Sequence, residues 1–199
     1  SAAVTSAALL PCWLSAEEGF EPIFDGKSLD GWEGDRKLWL AENGELVGRS
    51  PGIHYNDFLV HRERFSNFVL KLSVRLVNNA GNSGIQFRSE RVPNSTEMYG
   101  YQADVGPGWW GNLYDESRRR RTLVEFPGNE REKTVRKDGW NEYTILAHGK
   151  QIRQWLNGTL TVDYTESSEL IARDGLIAVQ IHSGPALEVR FRDLRIRRM

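Results

Sequence analysis

The chain has 199 residues, with 26 Lys plus Arg against 27 Asp plus Glu and a formal net charge of −1. This length fits one domain with a short appendage, and the balanced charge excludes a general positive field for nucleic acid or an anionic membrane. No apolar run is long enough to cross a bilayer, and a single cysteine, Cys12, excludes an internal disulfide and any multi-cysteine zinc site.

Residues 1–16 are small and apolar and read like the core and cleavage site of a secretory signal whose initiator and basic start are absent. Residues 1–19 are therefore expected to be an N-terminal extension and residues 20–199 the folded domain of a secreted or periplasmic protein. Pro11 just before Cys12 argues against a lipid-anchored cysteine.

Beyond this segment no 3.6-residue apolar stripe persists, whereas period-two alternation recurs throughout, so the body is expected to be all-β. Phe68, Leu70, Leu72, Val74 and Leu76 alternate with Val69, Lys71, Ser73 and Arg75, which predicts a half-buried strand. Asn78 to Asn82 turns the chain, and Ile85 and Phe87 then continue one face of the next strand, placing Gln86 and Arg88 on the other. A lone arginine on such a face must meet a carboxylate or a ligand, and Asp104 is its expected partner.

Tyr99 to Glu116 begins as a strand carrying Gln102 and Asp104 on one face and runs into a glycine-rich aromatic loop. Exposed aromatics there suit the apolar faces of pyranose rings, with Asp, Gln and Asn satisfying the hydroxyls. Of the adjacent pair Trp109 and Trp110, an extended segment would bury one and leave the other in a site, and Trp110 is expected in the site. Arg118 to Arg121 reads as a solvated loop.

Tyr143 to His148, Gln151 to Leu156 and Thr159 to Tyr164 form a predicted meander, its second turn marked by Asn157-Gly158. Ser167 to Ala172 is expected to make one helical turn. Ile177, Val179 and Ile181 put Ala178, Gln180 and His182 on the opposite face, making His182 the acid/base candidate among four histidines. In the last strand Leu187, Val189 and Phe191 are followed by Leu194 and Ile196, an offset of three that predicts a bulge. About a dozen short strands with little helix indicate a β-sandwich or jelly roll.

There is no nucleophile elbow, phosphate loop or dinucleotide fingerprint, and His54, His61, His148 and His182 lack zinc-ligand spacing. No cofactor is expected and metal is left out of the site, although Asp and Asn in loops would suit a calcium ion. Oligomeric state is not written in the sequence.

Taken in order, several motifs resemble the 3-keto-disaccharide hydrolase domain family over about residues 20–197: Phe24 to Trp32, Asn43-Gly44-Glu45-Leu46-Val47-Gly48, Asn82 to Arg88, Gly100 to Asp104, Trp140-Asn141, Trp155-Leu156-Asn157-Gly158, Gln180 to Gly184 and Phe191-Arg192-Asp193. The chain departs from the commoner pattern at Ile181, where an acidic residue often stands. The resemblance implies a concanavalin-A-like jelly roll. It also implies cleavage of glycosides whose C3 hydroxyl is oxidised to a ketone, through C2 proton abstraction, elimination and hydration. In that chemistry His182 is expected as acid/base, Arg88 and Asn82 as donors to the oxyanion, and Gln102, Asp104 and Gln180 as hydroxyl-positioning groups. Tyr114 would assist the leaving oxygen and Trp110 would stack on the sugar. The alternative is a carbohydrate-binding module that performs no catalysis.

Overall fold

The computed structural model describes residues 17–199; the expected export segment, with Cys12, lies outside the described residues. Two antiparallel sheets pack face to face. The first contains β1 (Glu21–Pro22), β3 (Trp39–Glu42), β4 (Glu45–Ile53), β6 (Phe68–Leu76), β11 (Asn141–His148), β12 (Gln151–Leu156), β13 (Thr159–Thr165) and β15 (Gly184–Arg198). The second contains β2 (Trp32–Glu33), β5 (Asp57–Phe65), β7 (Ser83–Arg91), β8 (Met98–Val105), β9 (Leu113–Glu116), β10 (Arg121–Val124) and β14 (Gly175–Ile181). Their orders are β13-β12-β11-β6-β15-β4-β3, with β1 on β15, and β10-β9-β8-β7-β14-β5-β2. This is a jelly-roll-type β-sandwich.

The alternating apolar residues of β4, β6, β7, β11, β14 and β15 meet between the sheets in one core with Trp32 and Trp39. Each indole finds an acceptor, Ile23 O at 2.8 Å and Asp57 Oδ1 at 2.7 Å, as buried tryptophan requires. β6 is more buried than its alternation suggests, because it lies between β11 and β15 and its outer Val69 is covered by Leu146, Trp155 and Phe20. The Asn157-Gly158 turn has φ of 49° and 81°, the left-handed pair that a two-residue hairpin needs. The offset in β15 is a bulge: its register against β6 shifts between Arg192 and Arg195.

A helix, α1 (Gly128–Thr134), forms where none was expected, whereas Ser167 to Ala172 contains only a turn at 169–170. The helix carries no apolar stripe. Its anchor is the buried Arg131, which donates to Trp110 O at 2.9 Å and to Asn112 Oδ1 at 2.9 Å.

The arginine run is also not wholly solvated. Arg118 and Arg119 pair with the fully buried Asp115, Arg118 stacks over Tyr101 at 4.6 Å, and Arg119 holds Glu166 at 2.8 Å; Arg120 and Arg121 are exposed. Burial alone would raise the Glu166 carboxyl, but hydrogen bonds from Arg119, Tyr101 and the Ser168 N–H outweigh it and pull the group from 4.5 to about 2. A carboxyl depressed in the folded state stabilises the fold above its unfolded pKa and loses that contribution as pH falls through its folded one. Between pH 4.5 and about 2 this loss is on the order of 2 to 3 kcal/mol. Denaturant unfolding over that range should show the decline in the wild type and a shallower one in Arg119→Met, whose baseline is lower by about 3 kcal/mol.

Candidate functional site

The outer face of the second sheet carries the polar half of the alternation. Ile85, Phe87, Tyr101, Ala103, Leu113, Ile177, Val179 and Ile181 enter the core, so Gln86, Gln102, Asp104, Tyr114, Glu116 and Gln180 take the opposite face. Register aligns Gln86 with Gln102 and Gln102 with Tyr114, and sets Gly84 against Asp104. A Cβ on Gly84 would stand 2.4 Å from Gln102 Cδ; the missing side chain is what lets Gln102 lie across β7.

Asn82, Gln102, Asp104, Trp109, Tyr114, Glu116 and His182 line a cavity of about 120 Å³. Ligand sites usually span roughly 300–1,000 Å³, so this one suits a single small ring. His182 follows β14 directly, its N–H donating to Asn82 O at 3.3 Å. Its Nδ1 lies 2.7 Å from Ser183 O. A carbonyl oxygen only accepts, so Nδ1 carries the hydrogen, and a neutral ring with this tautomer presents the Nε2 lone pair. The loop behind it is fixed by Asn56, which accepts from Ser183 N at 2.9 Å and donates to Glu97 at 3.3 Å.

Asp104 Oδ1 accepts from Gln102 Nε2 at 2.9 Å, and Oδ2 is buried with no partner among the described residues. Burial drives the Asp104 pKa well above the ordinary carboxylate range; the Gln102 hydrogen bond opposes this, Glu116 adds to it and Arg131 opposes it. Burial therefore favours the acid form of Asp104 over the carboxylate. Glu116 is also raised, chiefly by burial and then by Glu97, against His182, the Ser117 N–H and Gln180; Gln180 Nε2 lies 3.5 Å from its Oε2. Tyr114 is raised by burial, with Glu116 and Asp104 adding to it.

Asn82, Gln102, Asp104, Tyr114 and His182 share the cavity. Gln180, expected to position a hydroxyl, does not line it: the residue is fully buried behind Glu116. Two further expectations are corrected. Trp110 is 2% exposed and Trp109 43%. Trp110 stacks on Tyr143 and donates to Asn79, while Trp109 lines the cavity edge-on to Tyr114 at 6.4 Å. One tryptophan is buried and one exposed, but the two are exchanged because the segment is coiled: the N–H groups of Trp109 and Trp110 both reach Gly106 O, at 2.9 and 3.0 Å.

Arg88 is not in the cavity and does not face Asp104. It has φ of 46° at a bulge where the β7–β8 register shifts between Phe87 and Glu90, and the bulge turns it to the end of the sandwich. There it donates to Ser66 O at 2.9 Å, Gly149 O at 2.7 Å and Asn67 Oδ1 at 3.1 Å. Burial, opposed by Tyr101, lowers its pKa to about 10. Its work is structural: Arg88→Met is expected to cost about 2 to 4 kcal/mol in denaturant unfolding while leaving kcat of the folded protein at the wild-type value.

Glu116 and Trp109 are the site residues the sequence reading missed. The signal for Glu116 was present, since it shares the β9 face of Tyr114 two residues away; Trp109 was weighed with Trp110 and passed over, because the coil in its loop is not a periodic feature. Among the described residues no group of three or more His, Cys, Asp or Glu is placed to hold a metal, and no helix is long and apolar enough to cross a membrane.

No curated protein matches the sequence. Among solved structures, a glycosyl hydrolase-like protein from Parabacteroides distasonis superimposes with a TM-score of 0.70 at 21% identity, covering 96% of this chain and 98% of that one. The carbohydrate binding module CBM66 of Bacillus subtilis gives 0.54 at 16% identity, covering 88% and 93%. The β-glucanase of Bacillus licheniformis gives 0.58 at 10%, covering 90% and 97%. At such identities the likeness speaks for the fold alone. Residues 19–197 match the family of 3-keto-alpha-glucoside-1,2-lyase-like domains, and the chain belongs to it.

Proposed function

We propose that the protein cleaves glycosides whose C3 carries a ketone, with His182 as the base and neutral Asp104 as the donor to the ketone oxygen. The observation that carries this reading is one cavity lined by a histidine with a free Nε2 and a buried carboxyl with an unpartnered Oδ2. The ketone acidifies the proton on C2. His182 Nε2 takes that proton, and Asp104 with Asn82 donates hydrogen bonds to the oxygen at C3 as it gains charge. The electron pair from C2 then forms the C1–C2 double bond as the C1–O bond breaks. The departing oxygen takes a proton from Glu116, which burial favours in its acid form, or from Tyr114. Water adds its oxygen to C1 of the enone and gives a proton back to the group that protonated the leaving oxygen, C2 regains its proton from His182, and the net reaction is hydrolysis.

Gln102 supplies an amide for the remaining hydroxyls, and Trp109 takes the stacking role. No Lys or Arg lines the cavity, which supports an uncharged sugar over a uronate. Trp109→Ala is expected to raise KM about tenfold with kcat little changed, since stacking of this kind contributes about 1 kcal/mol or more to ground and transition state alike; steady-state kinetics checks it.

The test of the reading is incubation with a 3-keto-glucoside and with its unoxidised parent, following products by mass spectrometry. Cleavage of the keto form alone is expected. An exposed tryptophan beside polar groups also serves a binding module, and saturable binding of both sugars without cleavage would replace the enzyme reading by that one.

A further inference from the structure

Beneath the cavity runs a row of polar side chains that the chemistry above does not use. Ser89 and Gln86 on β7 are fully buried, and neither lines the cavity. Ser89 Oγ donates to Gln86 Oε1 at 2.7 Å, a shorter contact than the 3.0 Å to Phe87 O. Gln86 Nε2 donates to Gln102 Oε1 at 3.0 Å, and Gln102 Nε2 donates to Asp104 Oδ1 at 2.9 Å. Every step points the same way, toward Asp104.

We propose that this chain is a positioning device: by donating in one direction along Ser89, Gln86 and Gln102, it makes Asp104 Oδ1 an acceptor and leaves the acid proton on Oδ2, the oxygen that has no partner among the described residues. The inference rests on Asp104 acting as the donor to the substrate ketone. An amide is well suited to the task, because it must donate at one end and accept at the other, so the polarity set at one residue is passed to the next. Reversing the chain would turn Gln102 Oε1 toward Asp104. The carboxyl would then spend its proton on that oxygen and offer the cavity only lone pairs.

The other groups facing Asp104 act on its ionisation without dictating which oxygen holds the proton. They are Glu116 and Tyr114 on β9 and Arg131 on α1; His182 after β14 shares the cavity lining, and the Tyr143 hydroxyl on β11 donates to the Asp104 backbone carbonyl at 2.5 Å.

Gln86→Glu reverses the chain by design. An ionised carboxylate at this position only accepts, so Gln102 must turn its amide nitrogen toward it and its oxygen toward Asp104. Gln86→Met removes the donor to Gln102 without imposing the opposite polarity. Both variants are compared with wild type in kcat for a 3-keto-glucoside at pH 8, in thermal unfolding, and in the ¹³C resonance of the Asp104 side-chain carboxyl across pH; the same spectrum reports the ionisation of the introduced carboxylate. The expected result is a fall in kcat of about a hundredfold for Gln86→Glu and a smaller one for Gln86→Met, as for loss of one oriented donor. Alongside it the Asp104 titration should move to higher pH in Gln86→Glu, so that activity falls while more of the acid form is present. A packing role alone would make the two kcat losses equal, and that result would overturn the proposal. Should Gln86→Glu not fold, an unchanged kcat in Gln86→Met would overturn it instead. The titration needs no substrate: an Asp104 resonance unmoved in Gln86→Glu would overturn the chain whether or not wild type cleaves the keto-glucoside. If the keto-glucoside is cleaved and Gln86→Glu leaves kcat unchanged, the reaction stands and the chain falls.

Discussion

His182→Ala is expected to lower kcat on a 3-keto-glucoside by about a thousandfold, within the usual range for loss of a general base, while shifting Tm by no more than about 2 °C. The activity loss follows from geometry: His182 lines the cavity, and its Nε2 has no partner among the described residues, whereas Nδ1 is held by the neighbouring Ser183 carbonyl. The small stability effect follows because the side chain is only half-buried and its recorded ring contacts are with Ser183 alone. Steady-state kinetics with a thermal melt reads both quantities. A variant that keeps wild-type turnover while folding normally would remove histidine from the mechanism.

Asp104 gives the second large effect, and its direction depends on which atom is lost. Asp104→Ala removes the buried donor and is expected to cost roughly a hundred- to a thousandfold in kcat, as for other oriented oxyanion donors. Asp104→Asn is expected to lose much less, about tenfold or under, because an amide keeps an oxygen for Gln102 and presents an N–H to the cavity. Burial raises the Asp104 pKa well above the ordinary carboxylate range. With the acid form as the proposed donor, activity is expected to fall as pH rises through that raised pKa, giving an alkaline limb in kcat. Asp104→Asn has nothing to ionise there and should lack that limb. A pH profile of kcat for both variants beside wild type checks the assignment.

What could be seen in advance follows the regularity of the backbone. In β14 the alternation of Ile177, Val179 and Ile181 is uninterrupted, so the polar face bearing Gln180 and His182 could be read from spacing alone. The same rule placed Gln102, Asp104 and Tyr114, because β8 and β9 pair in continuous register through them. It failed for Arg88, where one left-handed residue at a bulge redirects a side chain that simple alternation would leave beside Gln86. Trp110 was misplaced for a related reason: glycine-rich sequence signals departure from a strand but not the direction in which the coil turns each indole. Helix α1 escaped because a buried arginine rather than an apolar stripe holds it. The raised pKa of Asp104 was hidden too, since it arises from burial that only the assembled sheet creates.

The most direct test of the central claim, that His182 removes the proton on C2 of a 3-keto sugar, is turnover of a 3-keto-glucoside in deuterated water with the isotope at C2 followed by NMR. The account predicts deuterium at C2 of the released sugar with the wild type and none above the uncatalysed rate with His182→Ala. Cleavage by the wild type in which C2 keeps its original hydrogen would contradict it and point to direct displacement at C1.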